Sequence, residues 1–144
     1  MPNDRASAEA IAALQREMDR HGRGRDEPVR SISAFVGDRW SALILLVLET
    51  GTWRHAELRR TLCKISFEGA ISQRILTLKL RAFERDGLVL REATGDVPPK
   101  VSYTLTPTGH GLVGQVRGLI DWAITASPEI LRARQCFDSA AADE

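Results

Sequence analysis

One amphipathic segment, residues 71–89, constrains the fold more than any other part of the chain. Its apolar residues Leu76, Leu80 and Phe83 recur at intervals of four and three, which is the period of a helix with one buried side. The other side carries residue types that hydrogen-bond base edges or phosphates, namely Gln73, Arg74, Thr77 and Arg81. A helix of about 15 residues spans roughly 22 Å, enough to lie along a major groove. The segment predicts a DNA recognition helix, and an ordinary solvated helix face is the alternative.

Charge is distributed unevenly along a chain whose net charge is only +1. Residues 54–100 contain ten Lys or Arg against six Asp or Glu, a surplus of four, and the remainder has a deficit of three. A basic middle between acidic ends is what binding to nucleic acid requires, although this surplus is modest. With 144 residues, 43% of them hydrophobic, the chain is long enough for one domain with a substantial core.

Several other classes of protein are disfavoured by the sequence. The longest apolar stretch, residues 42–48, is far short of the roughly 20 residues of a membrane span, and the polar N-terminus lacks a signal peptide, so we expect a cytoplasmic protein. The three histidines are far apart, and the two cysteines, Cys63 and Cys136, do not have zinc-site spacing. Residues 109–114 fit a dinucleotide-binding glycine pattern, but the chain after them is too short for the second parallel strand. We expect no metal, no cofactor and no enzyme activity.

Patterns along the chain predict a mainly α fold with a small β-hairpin. Helices are expected over about 3–20, 31–36, 40–50, 54–62 and 107–126, besides the recognition helix, and strands over 88–91 and 101–105. Ser72 is expected to cap the recognition helix, and Thr106 followed by Pro107 is a typical helix start. Residues 63–70 exceed a tight turn, so they either extend the preceding helix or form a turn of their own.

This order of elements is that of a winged helix-turn-helix with N- and C-terminal dimerisation helices. We divide the chain into an N-terminal helix and linker (1–27), a winged helix-turn-helix DNA-binding domain (28–106), a C-terminal dimerisation helix (107–126) and a short tail (127–144). The linker follows from the glycines and the proline within residues 21–28, which regular elements disfavour.

The residues themselves resemble one family, the HxlR-type transcriptional regulators of bacteria. The resemblance covers roughly residues 28–122 and is carried by motifs in the same order along the chain: Gly37-Asp-Arg-Trp40, Arg54, Glu57-Leu58-Arg59, Ile71-Ser-Gln-Arg74, Leu76-Thr77, Leu80-Arg81, Glu84-Arg-Asp-Gly-Leu88, Val97-Pro-Pro-Lys-Val101, Tyr103, Leu105-Thr106 and Gly109. Several motifs in one order are far more specific than any single motif.

The resemblance implies a homodimer on a near-palindromic operator of double-stranded DNA, with the recognition helices in major grooves about 34 Å apart. Such regulators often respond to reactive small molecules or oxidants, so a small-molecule or redox effector is implied, and repression is favoured over activation. The chain departs from the family pattern in three places. Glu27 stands where a cysteine is usual, which removes that thiol as a sensor, His55 replaces a phenylalanine, and residues 63–70 are longer than the family's turn.

Candidate DNA-binding residues fall into three groups. Gln73, Arg74 and Thr77 are candidates for base contacts, because Arg suits guanine, Gln suits adenine and Thr can touch a thymine methyl group. Phosphate contacts are expected from Arg39, Arg59, Lys79 and Arg81, with Ser72 at the helix start. Arg91 and Lys100, near the tip of the wing, could enter a minor groove. For the three base-contact candidates the alternative is phosphate contact or plain solvation, and for the other side chains it is plain solvation.

A second set of residues concerns a dimer interface or effector pocket. The set consists of two tryptophans and an apolar stripe: Trp40, Leu112, Val116, Leu119 and Trp122. For the two tryptophans, packing in the core or at an interface is favoured over contact with a ligand. Cys63 adjoins Lys64, and a neighbouring cation lowers a thiol pKa, so Cys63 is a candidate sensor thiol, although a buried apolar role is favoured. The alternative function is a winged-helix module that binds protein without specific DNA binding.

Overall fold

The computed structural model describes residues 3–22, 24, 27–67 and 69–143. These residues form six helices and three strands: α1 (Asn3–His21), α2 (Pro28–Gly37), α3 (Ser41–Leu48), β1 (Trp53–Arg54), α4 (His55–Ile65), α5 (Gln73–Arg85), β2 (Val89–Ala93), β3 (Val101–Leu105) and α6 (Pro107–Ala142). The mainly α fold with a small sheet confirms the predicted fold class. The chain divides into two compact units, residues 1–41 and 42–144.

The first unit contains α1 and α2. The apolar side chains Ile11, Leu14 and Met18 recur at intervals of three and four along one side of α1 and are each about half exposed, so this stripe is not covered. Helix α2 begins at Pro28, three residues earlier than predicted, because proline is pre-set for the first helical position. The predicted linker lies partly outside the described residues.

The second unit is built around α3. This helix is apolar on all sides, so it is buried by its neighbours, with Ile44, Leu45 and Leu48 almost fully inaccessible. The other fully buried apolar side chains come from Ile71, just before α5, and from the helices of this unit: Leu58, Leu62, Leu76, Leu80, Phe83 and Val113. No single helix among the described residues is long and apolar enough to cross a membrane, although α2 and α3 taken together pass that test of length and composition.

The three strands form one antiparallel sheet in the order β1-β3-β2. Strands β2 and β3 are the predicted hairpin, with Val89 opposite Leu105 and Ala93 opposite Val101. Strand β1 was not predicted, because two residues show no periodicity. It pairs with the free edge of β3, and the hydroxyl groups of Thr52 and Thr104 lie 3.0 Å apart beside it.

Helix α6 begins as predicted and ends much later. The Thr106 side chain accepts a hydrogen bond from the Gly109 N–H at 3.1 Å, which confirms the predicted cap. The predicted end near Ala126 is wrong, because the helix continues through Pro128 to Ala142 and includes most of the predicted tail. An internal proline removes one backbone hydrogen bond, but the residues after it, rich in Ala, Arg, Leu, Glu and Gln, are strong helix formers.

Candidate nucleic-acid interface

Helices α4 and α5 form the helix-turn-helix. Helix α4 runs to Ile65, so the first part of residues 63–70 extends this helix, and the second part joins it to α5. Gly69 in this connection has φ +91°, a backbone conformation that favours glycine. The connection is longer than a turn of three or four residues, as the sequence indicated.

The start of α5 is held by its own cap and by α4. The Ser72 hydroxyl accepts a hydrogen bond from the Ile75 N–H at 3.1 Å, which confirms the predicted cap. Arg59 Nε donates to the carbonyl oxygen of the buried Ile71 at 3.0 Å, and the partly buried Cys63 Sγ lies 3.9 Å from the same oxygen. The Arg59 guanidinium therefore positions the helix entrance, in addition to any phosphate contact.

A second connection joins α4 to the next turn of α5. His55 Nε2 lies 3.0 Å from Thr77 Oγ1, and the Thr77 hydroxyl donates to the Gln73 carbonyl oxygen at 2.9 Å. The His55 ring is tilted by 57° against the Tyr103 ring, with centroids 6.4 Å apart. Partial burial, and then the neighbouring Arg59 charge, lower the pKa of His55. Thr77 is only partly exposed, unlike the other predicted base-reading residues.

The outward face of α5 is defined here as Arg74, Leu78, Arg81 and Arg85. These residues recur at intervals of four, three and four on the side opposite the buried Leu76 and Phe83, and all four are exposed. Gln73 is exposed on the flank of this face, next to Thr77. Lys79 lies on the flank nearer the core and is partly buried, which makes it the least suited of the predicted phosphate contacts.

Sequence reasoning missed Leu78 and Arg85 on this face. Both follow from the same 3.6-residue period that placed Arg74 and Arg81, so the signal was present. Leu78 is about half exposed, which places one apolar side chain among the arginines of this face.

The wing is the β2–β3 hairpin with its loop, and every residue from 90 to 100 is exposed. Arg91 stands opposite Tyr103 in the sheet. Lys100 was predicted near the tip of the wing but lies at the base of the loop. Its N–H donates to Thr94 Oγ1 at 3.0 Å, and its carbonyl accepts from the Thr94 N–H at 2.9 Å. The tip itself carries Val97, which is almost fully exposed.

Two predicted site residues belong to the first unit. Arg39 is exposed and Trp40 is partly buried, both in the segment just before α3. The Asp38 carboxylate in this segment accepts a hydrogen bond from the Ser41 N–H at 2.9 Å, at the first turn of α3. The roles assigned to Arg39 and Trp40 stay predictions.

The apolar stripe of α6 is buried over its first part and exposed over the rest. Leu112 and Val116 are buried in the core of their own chain, so they are not available to line an interface or an open pocket. Leu119 and Trp122 are exposed, and their assignment to an interface stays a prediction. The distal stripe is defined here as the exposed continuation of the buried residues along the same side of the helix: Leu119, Ile120, Leu131 and Phe137.

An ion pair marks the point where α6 leaves the core. Arg117 Nε donates to Glu49 Oε1 at 2.7 Å, and the Arg117 Nη2 contacts the same oxygen. This hydrogen bond lowers the pKa of Glu49, and the carboxylate in turn raises the pKa of Arg117. Glu49 directly follows α3, so the pair connects the central helix to α6.

Neither cysteine is in a disulfide: Cys63 is partly buried and Cys136 is exposed on α6. Within the described ranges, no three His, Cys, Asp or Glu side chains come together as a metal site.

Comparison with known proteins gives concordant results for sequence and structure. Residues 35–130 match the model of the family described as HxlR-like helix-turn-helix. A protein named the HTH-type transcriptional regulator YtfH, of Escherichia coli K12, is 39% identical over 107 residues, which are 74% of this chain and 80% of that protein.

Solved structures show the same likeness. The transcriptional regulator ytfH from Salmonella typhimurium is 36% identical with a TM-score of 0.62, over 78% of this chain and 95% of that one. The reduced form of the redox regulator HypR is 35% identical with a TM-score of 0.59, over 74% of this chain and 98% of that one.

Proposed function

The chain belongs to the HxlR-like helix-turn-helix family of DNA-binding transcriptional regulators, and we propose that it acts as a homodimer on a near-palindromic operator. In this proposal, α5 enters the major groove, the wing reaches toward the flanking minor groove, and α6 joins the two copies. Catalysis has no part in it.

The observation that carries the proposal is the outward face of α5. Three arginines and one leucine stand on the side of the helix that faces away from the core, and Gln73 lies beside them. Arg can bond guanine in a bidentate manner, and Gln can do the same with adenine. The other side of α5 is buried in the core, and its start is capped and held by Arg59. A rigid helix with a basic outer face is what base reading requires.

The distal stripe supports the homodimer. Helix α6 has 36 residues and spans roughly 54 Å, and its second half exposes Leu131 and Phe137 to solvent. Exposed apolar stripes of this length mark interaction surfaces in proteins that are otherwise well packed. The half-exposed stripe of α1 is a second such surface. Pairing of these helices in a twofold dimer would bury both surfaces and set two α5 helices in successive major grooves.

The finer parts of the proposal concern regulation. We infer a cytoplasmic repressor whose DNA binding responds to a small molecule or to oxidation. A structural neighbour named a redox regulator supports the second possibility. Cys63 is the thiol best placed to act on DNA binding, because its sulfur lies 3.9 Å from the Ile71 carbonyl at the entrance of α5. A larger oxidised side chain would disturb that entrance.

Equilibrium binding to the protein's own promoter tests the proposal. The purified full chain is titrated against the promoter region and against random duplex at two salt concentrations. Tight, salt-sensitive and promoter-specific binding is expected, because phosphate contacts release counterions and base contacts add specificity. Weak and equal binding to both duplexes, in reduced and in oxidised protein, would contradict the proposal and leave a protein-binding winged helix as the better reading.

A pair of arginine variants makes the test specific to α5. Arg74→Ala should weaken promoter binding by about 1–3 kcal/mol and relax specificity, because it removes a base contact. Arg132→Ala removes the same charge from the exposed distal part of α6 and should leave specificity unchanged. Equal losses on promoter and random duplex for Arg74→Ala would remove its base-reading role.

A further inference from the structure

The hydrogen bond between His55 and Thr77 lies at the flank of the proposed reading face. Its partners are 22 residues apart in the chain and belong to the two helices of the helix-turn-helix. We propose that His55 is a positioning residue that fixes the Thr77 hydroxyl, so that Thr77 meets the DNA with its methyl group and selects a thymine. This inference rests on the proposed function, because it concerns the DNA sequence that the recognition helix reads.

The single proton of the Thr77 hydroxyl determines which group donates in each of its two hydrogen bonds. A hydroxyl group has one proton to donate, and here Thr77 donates it to the Gln73 carbonyl oxygen at 2.9 Å. His55 Nε2, 3.0 Å from the same oxygen, must then carry a hydrogen and donate it. No proton is left on Thr77 Oγ1 for a base acceptor, so Thr77 cannot donate a hydrogen bond to DNA in this geometry.

The same two hydrogen bonds restrict the Thr77 rotamer. Threonine in a helix divides between two rotamers, because its hydroxyl can bond a carbonyl three or four residues earlier. Here the Thr77 hydroxyl bonds the Gln73 carbonyl, and the His55 donor favours the one rotamer that places Oγ1 within reach of both groups. The direction of the Thr77 methyl group is thereby set relative to α5.

The chemistry of the exposed part of Thr77 then determines its preference. With its proton used, the Thr77 oxygen can still accept a hydrogen bond but cannot donate one, whereas its methyl group gains only from apolar contact, and the thymine methyl is the apolar group of the major groove. Thr77 lies one helical turn from Arg74, the proposed guanine reader. We therefore expect one thymine in each half-site whose 5-methyl group contributes to binding and lies near the base that Arg74 reads.

Single replacements of thymine by uracil test the assignment. The operator is located by footprinting, and duplexes are made in which one thymine at a time carries no 5-methyl group. For the unmodified protein, one position per half-site should lose about fourfold in affinity, the effect of one buried methyl group. Thr77→Ser keeps the hydroxyl and lacks the methyl, so it should bind both duplexes equally.

Two substitutions at His55 separate the hydrogen bond from ring packing. His55→Gln keeps a donor at the position of Nε2 and loses the ring that tilts against Tyr103, and His55→Phe keeps a ring and loses the donor. The proposal predicts that the thymine preference survives in His55→Gln and falls below twofold in His55→Phe. A ring that acts only by packing would give the reverse order.

The outcomes distinguish this inference from the proposed function. If the protein leaves no footprint on its promoter, the proposed function fails and the thymine assignment with it. If the footprint is clear but no thymine-to-uracil change matters, or if His55→Phe keeps the full preference, only the assignment to His55 and Thr77 is overturned.

Discussion

The recognition helix α5 and the distal half of α6 both carry an apolar stripe. The stripe of α5 is buried, whereas the stripe of distal α6 is exposed. In α5, Leu76, Leu80 and Phe83 are buried in the core of their own chain. In α6, Leu131 and Phe137 are more than half exposed, at 55% and 74%. When the apolar stripe of a helix is buried, its polar face is the surface left to bind a partner. When the stripe is exposed, the apolar side chains themselves are available to bind.

This difference assigns separate tasks to the two helices. The hydrogen bonds from Arg59 and His55 hold α5 against α4 of the same chain. Its geometry is therefore set before any partner binds. Among the described residues, the apolar side chains of α6 beyond the Glu49–Arg117 pair are largely exposed, and in the proposed homodimer a second copy of the chain covers them.

Two phenylalanines give the largest expected contrast. Phe83→Ala should lower the free energy of unfolding by about 3–5 kcal/mol at any protein concentration, because it opens a cavity in the core of one chain. Phe137→Ala should act only through association, so its cost should fall as the protein is diluted. Urea unfolding at two protein concentrations measures both. A large, concentration-independent loss for Phe137→Ala would show that the distal stripe packs within its own chain.

A charge on the distal stripe should weaken the dimer. Leu131→Glu places a carboxylate in the proposed interface and should weaken association by roughly 2 kcal/mol or more, about 30-fold, since apolar anchors carry most interface energy. Thr125→Glu adds the same charge on the opposite side of the helix and serves as the control. Sedimentation equilibrium measures both dissociation constants. Similar values for the two variants would place the interface elsewhere.

Alanine substitutions at two glycines of α6 compare the packed start of this helix with its exposed side. A Cβ atom at Gly109 would lie 2.1 Å from the Leu88 carbonyl oxygen, so Gly109→Ala should cost about 1–3 kcal/mol. A Cβ at Gly114 meets nothing within 4 Å, and Gly114→Ala should stabilise the protein by about 0.5–1 kcal/mol. Thermal unfolding distinguishes the signs. A destabilised Gly114→Ala variant would mean that this side of α6 is also covered.

The smallest expected effect concerns pH. Burial and Arg59 lower the pKa of His55 in the folded chain, so the unfolded chain takes up a proton first as the pH falls through about 6.5. This group therefore favours the folded state above that pH and loses its contribution as the pH falls toward the lowered value. The stability of His55→Phe should depend less on pH between 7.5 and 5.5 than that of the natural chain. Identical slopes would contradict the buried environment of His55.

Much of α5 follows from the sequence, because its stripe and its cap are local signals. The outward arginines follow from the same period, and Arg85 was missed although the period includes it. The His55–Thr77 bond has no local signal, since it depends on how α4 packs against α5. Arg59 shows the same limit: its charge predicted a phosphate contact, and the fold adds a bond to the Ile71 carbonyl.

Helix α6 shows where sequence reasoning has least power. Proline predicts a helix end, yet the residues after Pro128 favour a helix strongly enough to continue it. The stripe has the same period before and after Val116, so periodicity cannot tell its buried part from its exposed part. Strand β1 is two residues long and exists only because β3 offers a free edge. These features depend on tertiary contacts that a local pattern does not contain.

Hydroxyl-radical footprinting of the natural chain on its own promoter tests the central claim most directly. The expected footprint requires both that α5 reads bases and that α6 joins two copies of the chain. A dimer joined through α6 with two reading helices should protect two similar half-sites whose centres are about 10 base pairs apart, or a multiple of that spacing. A single protected half-site, or protection without any repeat, would contradict the assignment of base reading to α5 and of pairing to α6.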